Sequence, residues 1–208
     1  MKKLLVVIDY QNDFVNGALG FAGAELLDEK IAAKVKQYHK EKDAHVIYTQ
    51  DTHKKNYLKT QEGKKLPIVH CIRDTEGWDV YGKTAEACGA RDIVIEKPTF
   101  GSLELVEICE EEQYEQVELV GLVSNICVLS NAVLVKTALP EAEVIVDASC
   151  TACADPVMNE KALEAAELVD GDSVHIIGRL QSRLDRKYQR TVYEVSIPRN
   201  GELERWEM

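Results

Sequence analysis

Residues 116–139, "QVELVGLVSNICVLSNAVLVKTAL", decide the fold class, because a strand pattern is followed at once by a helix pattern. Residues 116–123 form a short apolar run, which is typical of a strand that is buried on both faces. From residue 124 onward the apolar side chains recur with helical spacing. A buried strand followed directly by a helix indicates a parallel sheet covered by helices.

The same alternation extends over the rest of the chain. Further β-branched apolar runs occupy residues 3–9, 44–50, 91–97, 143–149 and 173–178. Helical spacing recurs in residues 26–40, 102–113 and 159–169. We therefore predict an α/β fold, a doubly wound three-layer α/β/α arrangement around a mostly parallel six-stranded sheet.

The length of 208 residues favours one domain over residues 1–208, with a core over about 1–179. Residues 180–208 form a charged C-terminal extension, in which Asn200-Gly201 is a hairpin-type turn signal. The extension has two interpretations, an arm that packs on a partner subunit or a frayed end. We expect a homo-oligomer.

The charge balance argues against nucleic acid as a partner. Lys and Arg total 25 against 36 Asp and Glu, and the net charge is -11. The apolar N-terminal run ends at Asp9 without a cleavage pattern, and no stretch is long enough to span a bilayer. With six cysteines and no targeting signal, we expect free thiols, a cytoplasmic location and no membrane contact.

Reactive residues follow four successive predicted strands. In an open α/β sheet, ligands bind beyond the carboxyl ends of the strands. The residues at these ends are Asp9, Asp51 with His53, Lys97 and Cys127. The sequence thus predicts a single site that combines an acid, metal-ligand types, a cation and a thiol.

Cys127 is the candidate nucleophile of this site. It lies near the start of a predicted helix, with Ser124 or Asn125 as the N-cap. The positive end of the helix dipole favours the thiolate, which is the reactive form of cysteine. The alternative is that Cys127 is a small buried core residue.

Asp9 and Lys97 are the candidate partners of the thiol. Asp9 ends an apolar strand and, if it faces Cys127, can accept the thiol proton. Asp13 competes for this role from further into the loop. Lys97 precedes Pro98 at the edge of the sheet, where it would hold the carboxylate and favour the thiolate.

A second group of residues has the composition of a metal site. Asp51 and His53 are two residues apart, and His70 follows the long polar connection that begins after Gln50. These three are a credible ligand set for a divalent metal ion, with Glu62 as a further candidate, and zinc, iron and manganese suit them equally. The alternative is one loop histidine and one core histidine without a metal.

Other motifs give no support for other chemistries. Cys150 and Cys153 form a C-x-x-C pair, but it follows the fifth predicted strand instead of a thioredoxin-like order, so we interpret it as structural. The chain contains no G-x-G-x-x-G, Walker A or G-x-S-x-G motif, so nucleotide binding and serine hydrolysis are not indicated.

Taken in chain order, these motifs resemble the isochorismatase-like cysteine hydrolase superfamily, and within it the nicotinamidase/pyrazinamidase branch. The resemblance covers about residues 3–178 and rests on "LLVVIDYQNDFVNGAL", "TQDTH", "VHC", "EKPTFGS" and "GLVSNICVLSNA". It implies a catalytic triad of Asp9, Lys97 and Cys127. It also implies a cis peptide at Leu122-Val123 and an oxyanion hole formed by the backbone N–H groups of Val123 and Cys127.

The implied reaction is the deamidation of nicotinamide to nicotinic acid and ammonia through a Cys thioester, a step of NAD salvage. The resemblance implies a divalent metal ion on Asp51, His53 and His70 that orients the pyridine ring. It implies a substrate wall of Phe14, completed by Phe100 or Trp78. The chain departs from many nicotinamidases at Pro67 and Ile68, where the metal loop lacks an aromatic residue and a third histidine.

Three alternatives remain open at this point. The chain could be another amidohydrolase of the superfamily that acts on a carbamoyl or ureido substrate without using the metal. It could be an inactive member that acts as a binding protein, with Cys127 in the core. A vinyl-ether hydrolase is less favoured, because that chemistry gives no reason for a thiol at this position.

Overall fold

The computed structural model describes residues 1–166 and, as backbone only, strand segments within residues 168–203. Contacts divide the chain into two compact units, Met1–His175 and Ile176–Met208. In the second unit, two strand pairs are described. β8 and β9 pair antiparallel, as do β10 and β11 on either side of the predicted Asn200-Gly201 turn. Their bounds are β8 Arg179–Asp185, β9 Arg190–Ser196, β10 Pro198–Arg199 and β11 Glu202–Leu203.

The first unit is built on a seven-stranded sheet of order β3-β2-β1-β4-β5-β7-β6. Five of these strands are parallel, namely β1 Lys3–Ile8, β2 Ala44–Asp51, β3 Ile93–Lys97, β4 Gln116–Leu122 and β5 Glu143–Ala152. At one edge, β6 Leu168–Val169 and β7 Ser173–His175 pair antiparallel. The predicted α/β class is confirmed.

The prediction of a mostly parallel sheet is confirmed, but the sheet has seven strands instead of six, because the last predicted strand is one half of an antiparallel pair. The last predicted helix ends at Ala165 instead of residue 169, and Leu168 begins a strand. Asp170-Gly171, a hairpin signal, then separates two strands that pair with each other. The chain therefore returns beside β5 as a hairpin instead of as a parallel crossover.

Seven helices lie in the described part of the first unit. They are α1 Asn12–Val15, α2 Asp28–Tyr38, α3 Gln61–Lys65, α4 Gly82–Ala87, α5 Leu103–Glu112, α6 Leu129–Ala138 and α7 Pro156–Ala165. The long polar connection after β2 contains α3 and α4, together with 3₁₀ turns at Tyr57–Lys59 and Glu76–Trp78. Among the helices that the structure describes, none is long and apolar enough to cross a membrane.

The central strand β1 explains why the sheet is covered on both faces. Leu4 through Ile8 are fully buried, so successive side chains that point to opposite faces all lack solvent contact. Each such side chain contributes about 1.5–3 kcal/mol when it is buried. Because β1, β2, β3 and β4 are parallel, their carboxyl ends meet at one edge of the sheet.

Gly121 in β4 lies where the backbone of β1 comes very close. Its φ of 106° is in the region that favours glycine, and a Cβ there would lie 2.0 Å from the Ile8 carbonyl oxygen. The register between β4 and β5 also shifts at this point. The residue therefore allows β4 to bend beside β1 without a steric clash.

We expect Gly121→Ala to lower the free energy of unfolding by about 3 kcal/mol or more, because strain and overpacking add. The matched control is Gly23→Ala, which has a similar φ of 95° but open space around the added Cβ, and should cost about 1 kcal/mol. Urea unfolding followed by circular dichroism measures both. Equal losses in the two variants would contradict the close approach at Gly121.

Candidate active site

A buried lysine reaches across the end of the sheet at which the carboxyl ends of the parallel strands meet. Lys97, the last residue of β3, is 1% exposed. Its ammonium group is 2.6 Å from Asp9 Oδ2, 3.8 Å from Cys127 Sγ and 2.9 Å from the Thr99 carbonyl oxygen. The structure thus brings Asp9, Lys97 and Cys127 together in one contact.

The backbone and one hydroxyl group hold the Asp9 carboxylate in place. Asp9 follows β1 with a φ of 43°, which is uncommon for a residue other than glycine. The Thr49 hydroxyl donates to Asp9 Oδ1 at 2.7 Å. Burial raises the pKa of Asp9, and the ammonium of Lys97 opposes this shift. Apart from the ion pair, Asp9 Oδ2 has no directed hydrogen bond within the described residues and can accept a proton from the thiol.

The environment of Cys127 differs from the expectation. The residue lies in a π-helical turn, Ser124–Val128, which precedes α6, and no side chain caps that turn. Ser124 instead donates to Asn159 Oδ1. Burial raises the pKa of the Cys127 thiol well above its ordinary value, the charge of Asp9 raises it further, and Lys97 lowers it too little to compensate. Burial of the sulfur therefore opposes the thiolate, which the predicted helix position and Lys97 favour.

Two amides that the sequence analysis did not single out hold the site together. Asn131, one helical turn after Cys127, donates to the carbonyl oxygens of Cys127 and Phe100. Gln11, fully buried, accepts from the backbone N–H of Asp51 and donates to its carbonyl oxygen. The available signals were an amide four residues after the candidate nucleophile for Asn131, and an amide three residues beyond the end of a buried strand for Gln11.

The backbone before the thiol has the expected geometry. The Leu122-Val123 peptide is cis, which confirms that prediction. Val123 and Cys127 both line the cavity described below. Their role as an oxyanion hole stays a prediction.

Asp51, His53 and His70 form a buried cluster beside the thiol site. One ligand atom from each lies within 4.8 Å of the others. Asp51 Oδ2 is 2.9 Å from His53 Nε2 and 3.4 Å from His70 Nε2. Burial raises the pKa of Asp51, but the close ring nitrogens of His53 and His70 and the charge of Lys97 outweigh it, so the pKa is lowered. Glu62 Oε1 lies 3.7 Å from His53 Nε2 and 3.9 Å from His70 Nε2.

The cluster fits a divalent metal ion. His53 Nε2 is buried without a directed hydrogen bond among the described residues. His70 Nδ1 lies 2.8 Å from the Ile68 carbonyl oxygen, which orients the ring so that Nε2 faces the cluster. Two imidazole nitrogens and a carboxylate that converge in this way are a normal donor set for zinc and related metals.

A cavity of about 290 Å³ opens onto both groups of residues. Most of its wall is apolar, with Phe14, Leu19, Phe21, Leu66, Phe100, Val123, Ile126 and Ala154. The polar residues of the wall are Asp51, Glu62, His70, Asn125, Cys127, Cys153 and Asp155. Four of the wall residues were not predicted from the sequence, because side chains from loops and short helices have no periodic pattern that marks them; these are Leu19, Phe21, Leu66 and Ile126.

Several predicted residues have other surroundings. Trp78 does not line the cavity; its indole N–H donates to Thr52 at 2.8 Å, which turns the ring away. Asp13, the competing acid, accepts from the backbone N–H groups of Cys71 and Ala18 and so fixes a loop. All six cysteines are free thiols, and Cys150 and Cys153 do not form a disulfide.

The fold and the site define a hydrolase class with a thiol at a strand end, beside a buried acid and a buried lysine. The isochorismatase domain model matches residues 3–174, and the chain belongs to the isochorismatase family. It is 32% identical over 145 residues to an uncharacterized isochorismatase family protein of Bacillus subtilis, covering 64% of this chain and 78% of that protein.

Solved structures agree with this assignment. A nicotinamidase/pyrazinamidase from Bacillus subtilis is similar with a TM-score of 0.72 and 26% identity, covering 83% of this chain and 98% of that one. A pyrazinamidase of Pyrococcus horikoshii in complex with zinc has a TM-score of 0.68 and 24% identity, covering 79% and 93%. The second similarity shows the fold. The chain is thus an isochorismatase-like hydrolase.

We expect Lys97→Met to lower the free energy of unfolding by about 3–5 kcal/mol, because it leaves the Asp9 carboxylate buried without its partner. The double variant Asp9→Asn, Lys97→Met removes both charges and should lose less than Lys97→Met alone. Denaturant unfolding of the single and double variants measures this coupling. Purely additive losses would show that the two side chains do not interact.

We expect the purified protein to bind about one equivalent of zinc, iron or manganese per chain. His70→Ala should lose the metal, whereas His45→Ala should keep it, because His45 contacts Tyr114 outside the cluster. Metal analysis measures the content, and a chelator should lower the melting temperature of the wild type but not of His70→Ala. Retention of metal by His70→Ala would contradict the assignment of the cluster.

Proposed function

We propose that the protein is a metal-dependent nicotinamidase, which converts nicotinamide and water to nicotinic acid and ammonia. The contact of Lys97 with both Asp9 and Cys127, at the wall of an apolar cavity, is the observation that carries the proposal. The nearby cluster of Asp51, His53 and His70 favours this branch of the family over metal-free amidases. The similarity to a nicotinamidase/pyrazinamidase structure supports the same choice.

The reaction begins with a neutral thiol. Asp9 accepts the Cys127 proton while the sulfur attacks the amide carbonyl carbon, so charge separates only when substrate is bound. The backbone N–H groups of Val123 and Cys127 stabilise the oxyanion of the tetrahedral intermediate. Asp9 returns the proton to the amide nitrogen, the C–N bond breaks, and ammonia leaves a thioester on Cys127.

Hydrolysis of the thioester uses Asp9 and Cys127 again, and the proton that Asp9 accepts now comes from water and returns to the sulfur. Asp9 takes a proton from a water molecule that attacks the thioester carbonyl carbon, and the carbon–sulfur bond breaks to release nicotinic acid. The thiolate of Cys127 recovers its proton from Asp9. Lys97 keeps Asp9 in position and balances its charge in a site that is shielded from solvent.

The metal site contributes substrate orientation. Asp51, His53 and His70, with Glu62 beside them, would hold a divalent ion, which when bound would supply a Lewis acid for the ring nitrogen of the substrate. Phe14 packs edge-on against His70, with ring centroids 5.7 Å apart, and both side chains line the cavity. Phe100 lies in the same wall and is 45% exposed.

The alternative of a carbamoyl or ureido substrate is less well supported. A substrate such as an N-carbamoyl amino acid carries a carboxylate, and a site that binds it needs a cation or several N–H donors. No lysine or arginine is among the described residues that line the cavity. An apolar, uncharged ring amide fits this wall better.

We expect ammonia release from nicotinamide by the metal-loaded protein, and a loss of at least about 10³-fold in kcat for Cys127→Ala, because the nucleophile is removed. Cys88→Ala is the matched control, since Cys88 is an exposed thiol outside the cavity, and should retain activity. A coupled assay for ammonia measures both.

Two outcomes would reject the proposal. The first is no ammonia from nicotinamide at full metal occupancy. The second is full activity on a ureido compound after removal of the metal, which would favour the alternative amidohydrolase. Activity that survives in Cys127→Ala would exclude the thioester route.

A further inference from the structure

An acidic residue at the cavity has no part in the reaction described above. Asp155 lines the cavity beside Cys153 and Ala154, in the segment that joins β5 to α7, and it is exposed. Its Oδ1 caps α7 by accepting from the backbone N–H groups of Val157 and Met158, at 2.9 and 3.3 Å. The side chain thus places a carboxylate where the N-terminus of a helix reaches the cavity.

The described residues of the cavity wall carry an excess of negative charge. Asp51, Glu62 and Asp155 are its acidic side chains, and no lysine or arginine lines it within the described residues. A divalent metal ion would balance the charge of Asp51, which belongs to the cluster, and that of Glu62, whose Oε1 lies 3.7 Å from His53 Nε2. Asp155 is then the acidic group of the wall that remains without a compensating charge.

The position of Asp155 at a helix end strengthens its effect. The N-terminus of a helix carries partial positive charge and unpaired N–H groups, which normally attract anions. Asp155 occupies those N–H groups and adds a negative charge, so the end of α7 repels anions instead. The repulsion of anions at the end of α7 matters for an amidase, because its substrate is neutral and its acid product is an anion.

We propose that Asp155 is a specificity-determining residue, which excludes amides that carry a carboxylate and weakens the binding of the carboxylate product. The proposal rests on the assignment of the cavity as an amidase active site. Asp155 acts through charge and not in the chemical steps. It favours substrates with an uncharged ring and limits inhibition by the acid that accumulates.

The test compares Asp155→Asn with Glu160→Gln. Asparagine keeps the N-cap, so α7 should remain intact while the charge is removed. Glu160→Gln removes the same charge from an exposed position on α7 that does not line the cavity. The first readout is the ratio of alkylation rates at Cys127 by neutral iodoacetamide and anionic iodoacetate, measured by peptide mass spectrometry.

Both reagents form a bond to the same sulfur with loss of iodide, so changes in thiol reactivity cancel in the ratio. We expect Asp155→Asn to lower the preference for iodoacetamide by about two- to fivefold, a modest effect because the carboxylate is exposed. Glu160→Gln should leave the ratio unchanged. The difference should largely disappear at about 1 M salt, where charges are screened.

The second readout is inhibition by nicotinate during hydrolysis of nicotinamide. Asp155→Asn should bind nicotinate about two- to fivefold more tightly, whereas Glu160→Gln should change neither this affinity nor kcat/KM for nicotinamide. An unchanged alkylation ratio in Asp155→Asn, or an equal change in Glu160→Gln, would overturn the proposal. Alkylation requires no turnover, so the two proposals can fail separately. If the protein does not hydrolyse nicotinamide but shows the expected alkylation ratio, the nicotinamidase assignment is rejected and the role of Asp155 is retained.

Discussion

The rest of the site depends on the charged ammonium group of Lys97, which is buried where the carboxyl ends of the parallel strands meet. Lys97 is almost completely buried, and a buried charge is tolerated only where it is paired and hydrogen-bonded. Its partners come from different elements: the carboxylate of Asp9 after β1, the sulfur of Cys127 after β4 and a carbonyl oxygen of its own loop. The strand order β3-β2-β1-β4 therefore determines the site geometry. It places β2 between Lys97 and Asp9, so the lysine side chain must extend across the end of β2 to reach the carboxylate.

The same lysine links the thiol to the metal cluster. Lys97 Nζ is 4.0 Å from Asp51 Oδ1, while the other oxygen of Asp51 faces His53 and His70. One carboxylate thus belongs to both groups, and Gln11 fixes its backbone through two hydrogen bonds. A change in the charge of the cluster is consequently felt at Asp9, whose pKa is raised by Asp51 in addition to burial.

The sequence was informative where the fold itself determines position. Parallel strands place their carboxyl ends together, so Asp9, Lys97 and Cys127 could be grouped from strand ends and a family resemblance. The choice between Asp9 and Asp13 needed coordinates, because the two are four residues apart and only hydrogen bonds show that Asp13, in α1, accepts from backbone N–H groups. Trp78 was misplaced for the same reason, since its direction depends on a bond to Thr52 that has no sequence signal.

The direction in which the pKa of the Cys127 thiol is shifted could not be predicted from its position before a helix. Helix dipole and lysine both favour thiolate, but desolvation acts in the opposite direction, and its size depends on how completely the neighbouring elements enclose the sulfur. In this site the burial of the sulfur has a larger effect than Lys97, so the pKa of the thiol is raised. In the proposed reaction, a thiol that keeps its proton until substrate is bound reacts less with other electrophiles, and that proton lies beside Asp9, the base that carries it to the leaving nitrogen. The burial that raises the thiol pKa therefore also restricts nucleophilic attack to molecules that fill the apolar cavity.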